Sequence, residues 1–101
     1  MSTQIIRYRV ADQEKAEENV RLVEEVFAEL ARERPGGLTY QSYRLDDGLT
    51  FVHVVTTDDL QMLMRFESFL AFTQTLGGRL DGVPHREQAT PVGFFDGHLR
   101  S

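Results

Sequence analysis

The run Phe51-Val52-His53-Val54-Val55 constrains this chain more than any other feature. It is apolar on both faces instead of alternating, so a strand built from it has to be covered on two sides. It forms the returning arm of a hairpin. The outgoing arm, Leu38 to Leu45, follows Pro35-Gly36-Gly37, the tip is Asp46-Asp47-Gly48, and the return runs from Thr50 to Thr56. Asp-Gly between β-branched and aromatic runs signals a hairpin, because Gly accepts the positive φ that such a turn needs. A layer of helix covers one face of the returning strand. The second cover must come from elsewhere.

The flanking segments supply the helices. Gln4 to Val10 reads as a first strand with Ile6, Tyr8 and Val10 on one face and Ile5, Arg7 and Arg9 on the other. Asp12 suits the N-cap of a helix in which Ala16, Val20, Val23, Phe27 and Leu30 recur at spacings of three and four, the stripe of a helix lying on a core. The Glu-rich opposite side is a solvated face. Pro35-Gly36-Gly37 stops this helix. After the hairpin, Asp58 can cap a second helical region that runs to about Leu76, with a break near Phe66 to Ser68 and Gly77-Gly78 as its stop. Such a break would spread its aromatics around a concavity. His85 to Thr90 reads as a last edge strand ended by Pro91, and Phe94 and Phe95 in the tail are expected to dock.

The order strand, helix, strand, strand, helix, strand gives an α+β ferredoxin-like βαββαβ sandwich, an antiparallel sheet with both helices on one face. At 101 residues the chain makes one domain, residues 1–101. The uncovered sheet face, carrying Val52 and Val54 with Tyr43 and Leu45 across the turn, marks an association surface. A homodimer that closes two sheets face to face satisfies it. A net charge of −5 with scattered cations excludes nucleic acid as a partner, and no apolar run has the length of a membrane span. The absence of cysteine fits a reducing cytoplasm. His53, His85 and His98 fall on different elements without metal-ligand spacing, so no metal is expected.

The segment PGGLTYQSYRLDDGLTFVHVVTTDD, together with Phe66-Glu67-Ser68-Phe69-Leu70-Ala71-Phe72, resembles the antibiotic biosynthesis monooxygenase-like family of the dimeric α+β barrel superfamily. The element order of nearly the whole chain agrees. The resemblance implies a homodimer and, from some members, oxidation of phenolic or quinol compounds without metal or prosthetic group. The family's usual Glu and Trp places on the third strand hold Val55 and Thr57, and Leu60 to Arg65 has no histidine. The set used by haem-degrading relatives is absent as well: there is no Trp, and Arg7 stands where their Asn would fall.

A hairpin centred on Asp47-Gly48 pairs Arg44 with Phe51, Ser42 with His53, and Tyr40 with Val55, so these side chains share one face. The resemblance implies that this face looks toward the helices, where relatives bind ligands. Arg7 is expected to join from the first strand, with Phe66 and Phe69 as aromatic walls. His53 would then act as a base, Arg7 or Arg44 would steady an anion, and Tyr40, Ser42 and Phe51 would contact a small apolar or aromatic ligand. The alternative is a structural His53 bonded to Ser42 or Tyr40 in a protein that binds or assembles without catalysis. No cofactor is implied by either reading.

Overall fold

The computed structural model describes residues 2–97. Strand β1 (Ser2–Arg9) leads into helix α1 (Gln13–Glu33), the hairpin β2 (Leu38–Arg44) and β3 (Thr50–Thr57), a short 3-10 helix (Leu60–Arg65), helix α2 (Glu67–Leu76) and β4 (His85–Ala89). The four strands form one antiparallel sheet in the order β2-β3-β1-β4. This is the ferredoxin-like α+β sandwich that the sequence predicts.

Local chemistry sets the element ends. Asp12 accepts the backbone N–H of Lys15 at 2.8 Å and opens α1. At its far end Arg34 takes the left-handed conformation, φ 50° and ψ 54°, and its N–H returns to the Leu30 carbonyl. At the hairpin tip Gly48 has φ 75°, while the Asp47 carboxylate accepts the N–H groups of Leu49 and Thr50 and the Thr50 hydroxyl. These bonds hold Asp47 well below the usual carboxylate range, at about 2. They also centre the turn where the sequence places it, so Arg44 faces Phe51, Ser42 faces His53 and Tyr40 faces Val55.

The second helical region is broken at Phe66, as its sequence suggests, but Asp59 caps the 3-10 helix in place of Asp58. Phe66 holds the N-cap position of α2 without a side-chain bond. The core lies between sheet and helices, where Tyr8, Val10, Ala16, Val26, Phe51 and Phe72 are buried together. Each large apolar side chain buried there contributes roughly 1.5–3 kcal/mol. The α1 stripe is rotated slightly from its expected centre: Ala16, Asn19 and Val26 are its fully buried residues, with Val20, Val23 and Leu30 packed around them. On β3, Phe51, His53, Val55 and Thr57 turn inward, while Val52 and Val54 are half-buried on the opposite face.

The segment after α2 is pinned across the end of β1. The N–H of Ala11 bonds the Arg79 carbonyl, that of Asp81 bonds the Arg9 carbonyl, and Val10 bridges to Leu80. This carries the Arg79 side chain into the core. Phe94 and Phe95 do not dock on their own chain, where they are 83% and 90% exposed. No helix among the described residues is long and apolar enough to cross a membrane.

Candidate functional site

A cavity of about 340 Å3 opens between the sheet and the α2 region. Alternation on the strands puts Ile6, Tyr8, Tyr40, His53 and Val55 on its floor, and Phe69 and Phe72 of α2 with Leu63 of the 3-10 helix face them. Gln4, Gln61 and Arg86 supply polar groups to the lining, which holds no Asp or Glu. Such a mix of aromatic walls and few polar groups is typical of small-molecule sites.

His53 is the centre of the floor and is 2% exposed. Its Nδ1 lies 2.9 Å from the Tyr40 hydroxyl and its Nε2 lies 2.7 Å from the Tyr8 hydroxyl. Its ring stacks on Tyr8 at 5.3 Å and tilts against Phe72 at 5.5 Å. Burial pushes His53 down to about 4, so the imidazole is neutral near pH 7, and the same burial raises Tyr8 to about 12 and Tyr40 upward as well. The structure pairs this histidine with Tyr40; Ser42 is its cross-strand neighbour and, among the described residues, makes no bond to it.

Behind His53 the polar chain continues. Asn19 Nδ2 donates to the Tyr8 hydroxyl at 2.8 Å, and Arg79 Nε donates to Asn19 Oδ1 at 2.9 Å. Arg79 is 2% exposed and also donates to the Thr75 hydroxyl and the Phe72 carbonyl, with its guanidinium 5.5 Å from the Phe72 ring centre. Desolvation lowers its pKa, nearby Glu18 favours its charge, and Arg21 opposes it. Every buried polar side-chain atom among the described residues has a partner.

The sequence-derived site divides in three. His53, Tyr40 and Phe69 meet at the cavity. Ser42, Arg44 and Phe51 line a separate cleft of about 390 Å3 between α1 and β2, where Arg44 pairs with Glu17 at 3.2 Å and bonds the Gly48 carbonyl. Phe51 stacks on Tyr8 at 5.7 Å and belongs to the core. Arg7 does not join the set. It pairs with Val52 and is exposed on the opposite sheet face, because it is an odd step from Ile6 and Tyr8 on the same strand. Phe66 sits at the helix break and is not part of the cavity wall. The sequence pattern does not mark Tyr8, Asn19 or Arg79 as site residues. Asn19 carries a signal, a polar residue between Ala16 and Val26 on the buried face of α1. Arg79 carries none beyond its place after a glycine pair. Among the described residues no cluster of His, Asp or Glu could hold a metal ion, and His98 lies outside them.

No protein-family model matches the sequence, and no curated protein matches it. Solved structures do. A proposed antibiotic biosynthesis monooxygenase from Nitrosomonas europaea aligns with a TM-score of 0.75 and 14% identity over 92% of this chain and 100% of that one. A further antibiotic biosynthesis monooxygenase gives 0.74 and 18% over 92% and 100%. SnoaB, a cofactor-independent oxygenase from Streptomyces nogalater, gives 0.66 and 18% over 92% and 94%. The chain has the fold of the antibiotic biosynthesis monooxygenases, and at these identities the likeness is one of fold.

Proposed function

We propose that this chain is a small-molecule-binding protein of the monooxygenase fold, that it works as a homodimeric α+β barrel, and that its cavity takes a compact aromatic or phenolic ligand. The observation that carries the reading is the cavity itself. Its aromatic walls match a flat apolar ring, and the Tyr40 hydroxyl on its floor, held by His53, matches a single hydroxyl or oxo group. The homodimer follows from the half-buried Val52 and Val54 on the sheet face away from the helices, where Tyr43 is 52% exposed. A chain without cysteine suits a reducing compartment such as the cytoplasm.

Cofactor-independent oxygenation of the bound ligand is the more specific reading, supported by the fold shared with SnoaB. It needs a base, and His53 is a weak one. A proton moved from a phenol of ordinary pKa to a histidine near 4 climbs about 8 kcal/mol before any chemistry. Both of its nitrogens are also engaged by tyrosine hydroxyls. Binding is therefore the function favoured here, and His53 contributes by holding Tyr40 and Tyr8.

Calorimetric titration with naphthol tests the proposal. Saturable binding of one naphthol per chain is expected, and Thr73→Phe, which fills the cavity from α2, should abolish it. Binding that survives Thr73→Phe with the fold intact would place the ligand elsewhere.

A further inference from the structure

Resting on the proposed ligand site, the geometry points to a one-way hydrogen-bond relay, Arg79 to Asn19 to Tyr8 to His53 to Tyr40, that makes Tyr40 a donor to an anionic oxygen of an aromatic ligand. Arg79 fixes the direction. A guanidinium can only donate, so the Asn19 atom facing it at 2.9 Å is the amide oxygen. The Asn19 amide nitrogen then faces Tyr8 and donates to its hydroxyl oxygen. The Tyr8 proton has one remaining acceptor, His53 Nε2, at 2.7 Å. With Nε2 accepting, the neutral imidazole carries its proton on Nδ1 and donates to the Tyr40 oxygen at 2.9 Å. The proton of Tyr40 meets no acceptor among the described residues, and the cavity is the space open to it.

The reverse order fails on cost. It would leave the hydroxyl proton of Tyr8, a residue 3% exposed, without an acceptor, whereas Tyr40 is only half-buried and lines the cavity. Hydrogen bonds aligned head to tail polarise one another, so the last donor is strengthened by the cation at the origin. The hydrogen-bond partners of Arg79 among the described residues are all neutral, two side-chain oxygens and a carbonyl. No carboxylate bonds it directly, so its field polarises the chain of neutral hydrogen bonds, with the nearby Glu18 offsetting part of it. The cavity lining agrees independently, since it includes Arg86 and neither Asp nor Glu. The ligand class is thus an aromatic or enolic compound bearing one oxyanion. Asn19 and Arg79 act through Tyr8 and are positioning residues.

The test uses the full chain with three probes that share a ring: naphthoate, naphthamide and methylnaphthalene. Calorimetry should rank them in that order. Tyr40→Phe should weaken naphthoate about tenfold or more and leave methylnaphthalene unchanged, as expected for loss of a hydrogen bond to a charged group. The imidazole nitrogen resonances of His53 in isotope-labelled protein should report a proton on Nδ1. Asn19→Asp, nearly isosteric and able to pair with Arg79, presents an acceptor to Tyr8 and should reverse the relay. The His53 proton should then move to Nε2, and the preference for naphthoate should vanish. A proton on Nε2 in the unaltered protein, equal affinity for naphthoate and methylnaphthalene, or an unmoved tautomer in folded Asn19→Asp each overturns the relay. Should Asn19→Asp fail to fold, the tautomer of the unaltered protein and the Tyr40→Phe ranking still decide. Failure of all three probes and of naphthol to bind sinks the ligand site itself, an outcome separate from equal binding.

Discussion

Glu29 of α1 accepts both the backbone N–H and the hydroxyl of Ser68, a residue in the first turn of α2. The N-cap position of α2 is held by Phe66, which offers no side-chain acceptor. A carboxylate from the neighbouring helix thus performs the capping, and it sits where a negative charge is favoured by the helix dipole. These bonds hold Glu29 below the usual carboxylate range. In Glu29→Ala the amide of Ser68 should exchange with solvent faster, and the melting temperature should fall at pH 7. The sign of the pH effect follows from the lowered pKa: the stabilisation is present above the ordinary value of 4.5 and is lost as pH falls below it. Unaltered protein and Glu29→Ala should therefore converge in acid.

His53 gives a second, opposite-charge case with the same direction in pH. Its folded pKa of about 4 lies below the ordinary 6.5, so between these values the unfolded chain binds a proton that the folded chain does not. Stability is full above about 6.5 and declines until about 4. The shift corresponds to about 3 kcal/mol. Urea titrations should show a loss of that order between pH 7 and pH 4, and His53→Gln should remove most of the slope while lowering stability at pH 7.

Arg34 ends α1 with φ 50°, a left-handed conformation that costs a side-chain-bearing residue roughly 1 kcal/mol. Arg34 is exposed. Arg34→Gly should raise the unfolding free energy by up to about 1 kcal/mol in urea titrations, since glycine adopts this conformation without a Cβ clash. A loss of stability would show that the arginine side chain contributes more than its backbone costs.

The sheet face away from the helices predicts the assembly. Sedimentation should give a species of twice 11.6 kDa at micromolar concentration. Val54→Lys should yield monomer or unfolded chain, because a charge buried there without a partner costs several kcal/mol. A folded monomer of the unaltered sequence would remove the reason for this surface.

The hairpin register could be read from the sequence because Asp47 and Gly48 name the turn, and strand alternation then places every neighbour. The same alternation on β1 already assigned Arg7 to the face of Ile5 and Arg9. Bringing it into the pocket set aside that parity, and the sheet upholds it. The relay was not legible for a different reason. Tyr8, Asn19 and Arg79 come from a strand, a helix and a loop, and only the pinning of residues 79–81 across the end of β1 brings them together. No spacing rule within one element encodes such a meeting. Asn19 alone gave a local sign, an amide on the buried stripe of a helix.

The chain has three tyrosines and no tryptophan. Tyr8 and Tyr40 line the cavity, while Tyr43 lies on the outer sheet face and is 52% exposed. The molecule therefore carries its own optical reporter: two of its three tyrosines sit where a ligand would stack. Occupation of the cavity will quench or shift intrinsic emission without any label, and Tyr43→Phe would strip away the background from the outer face.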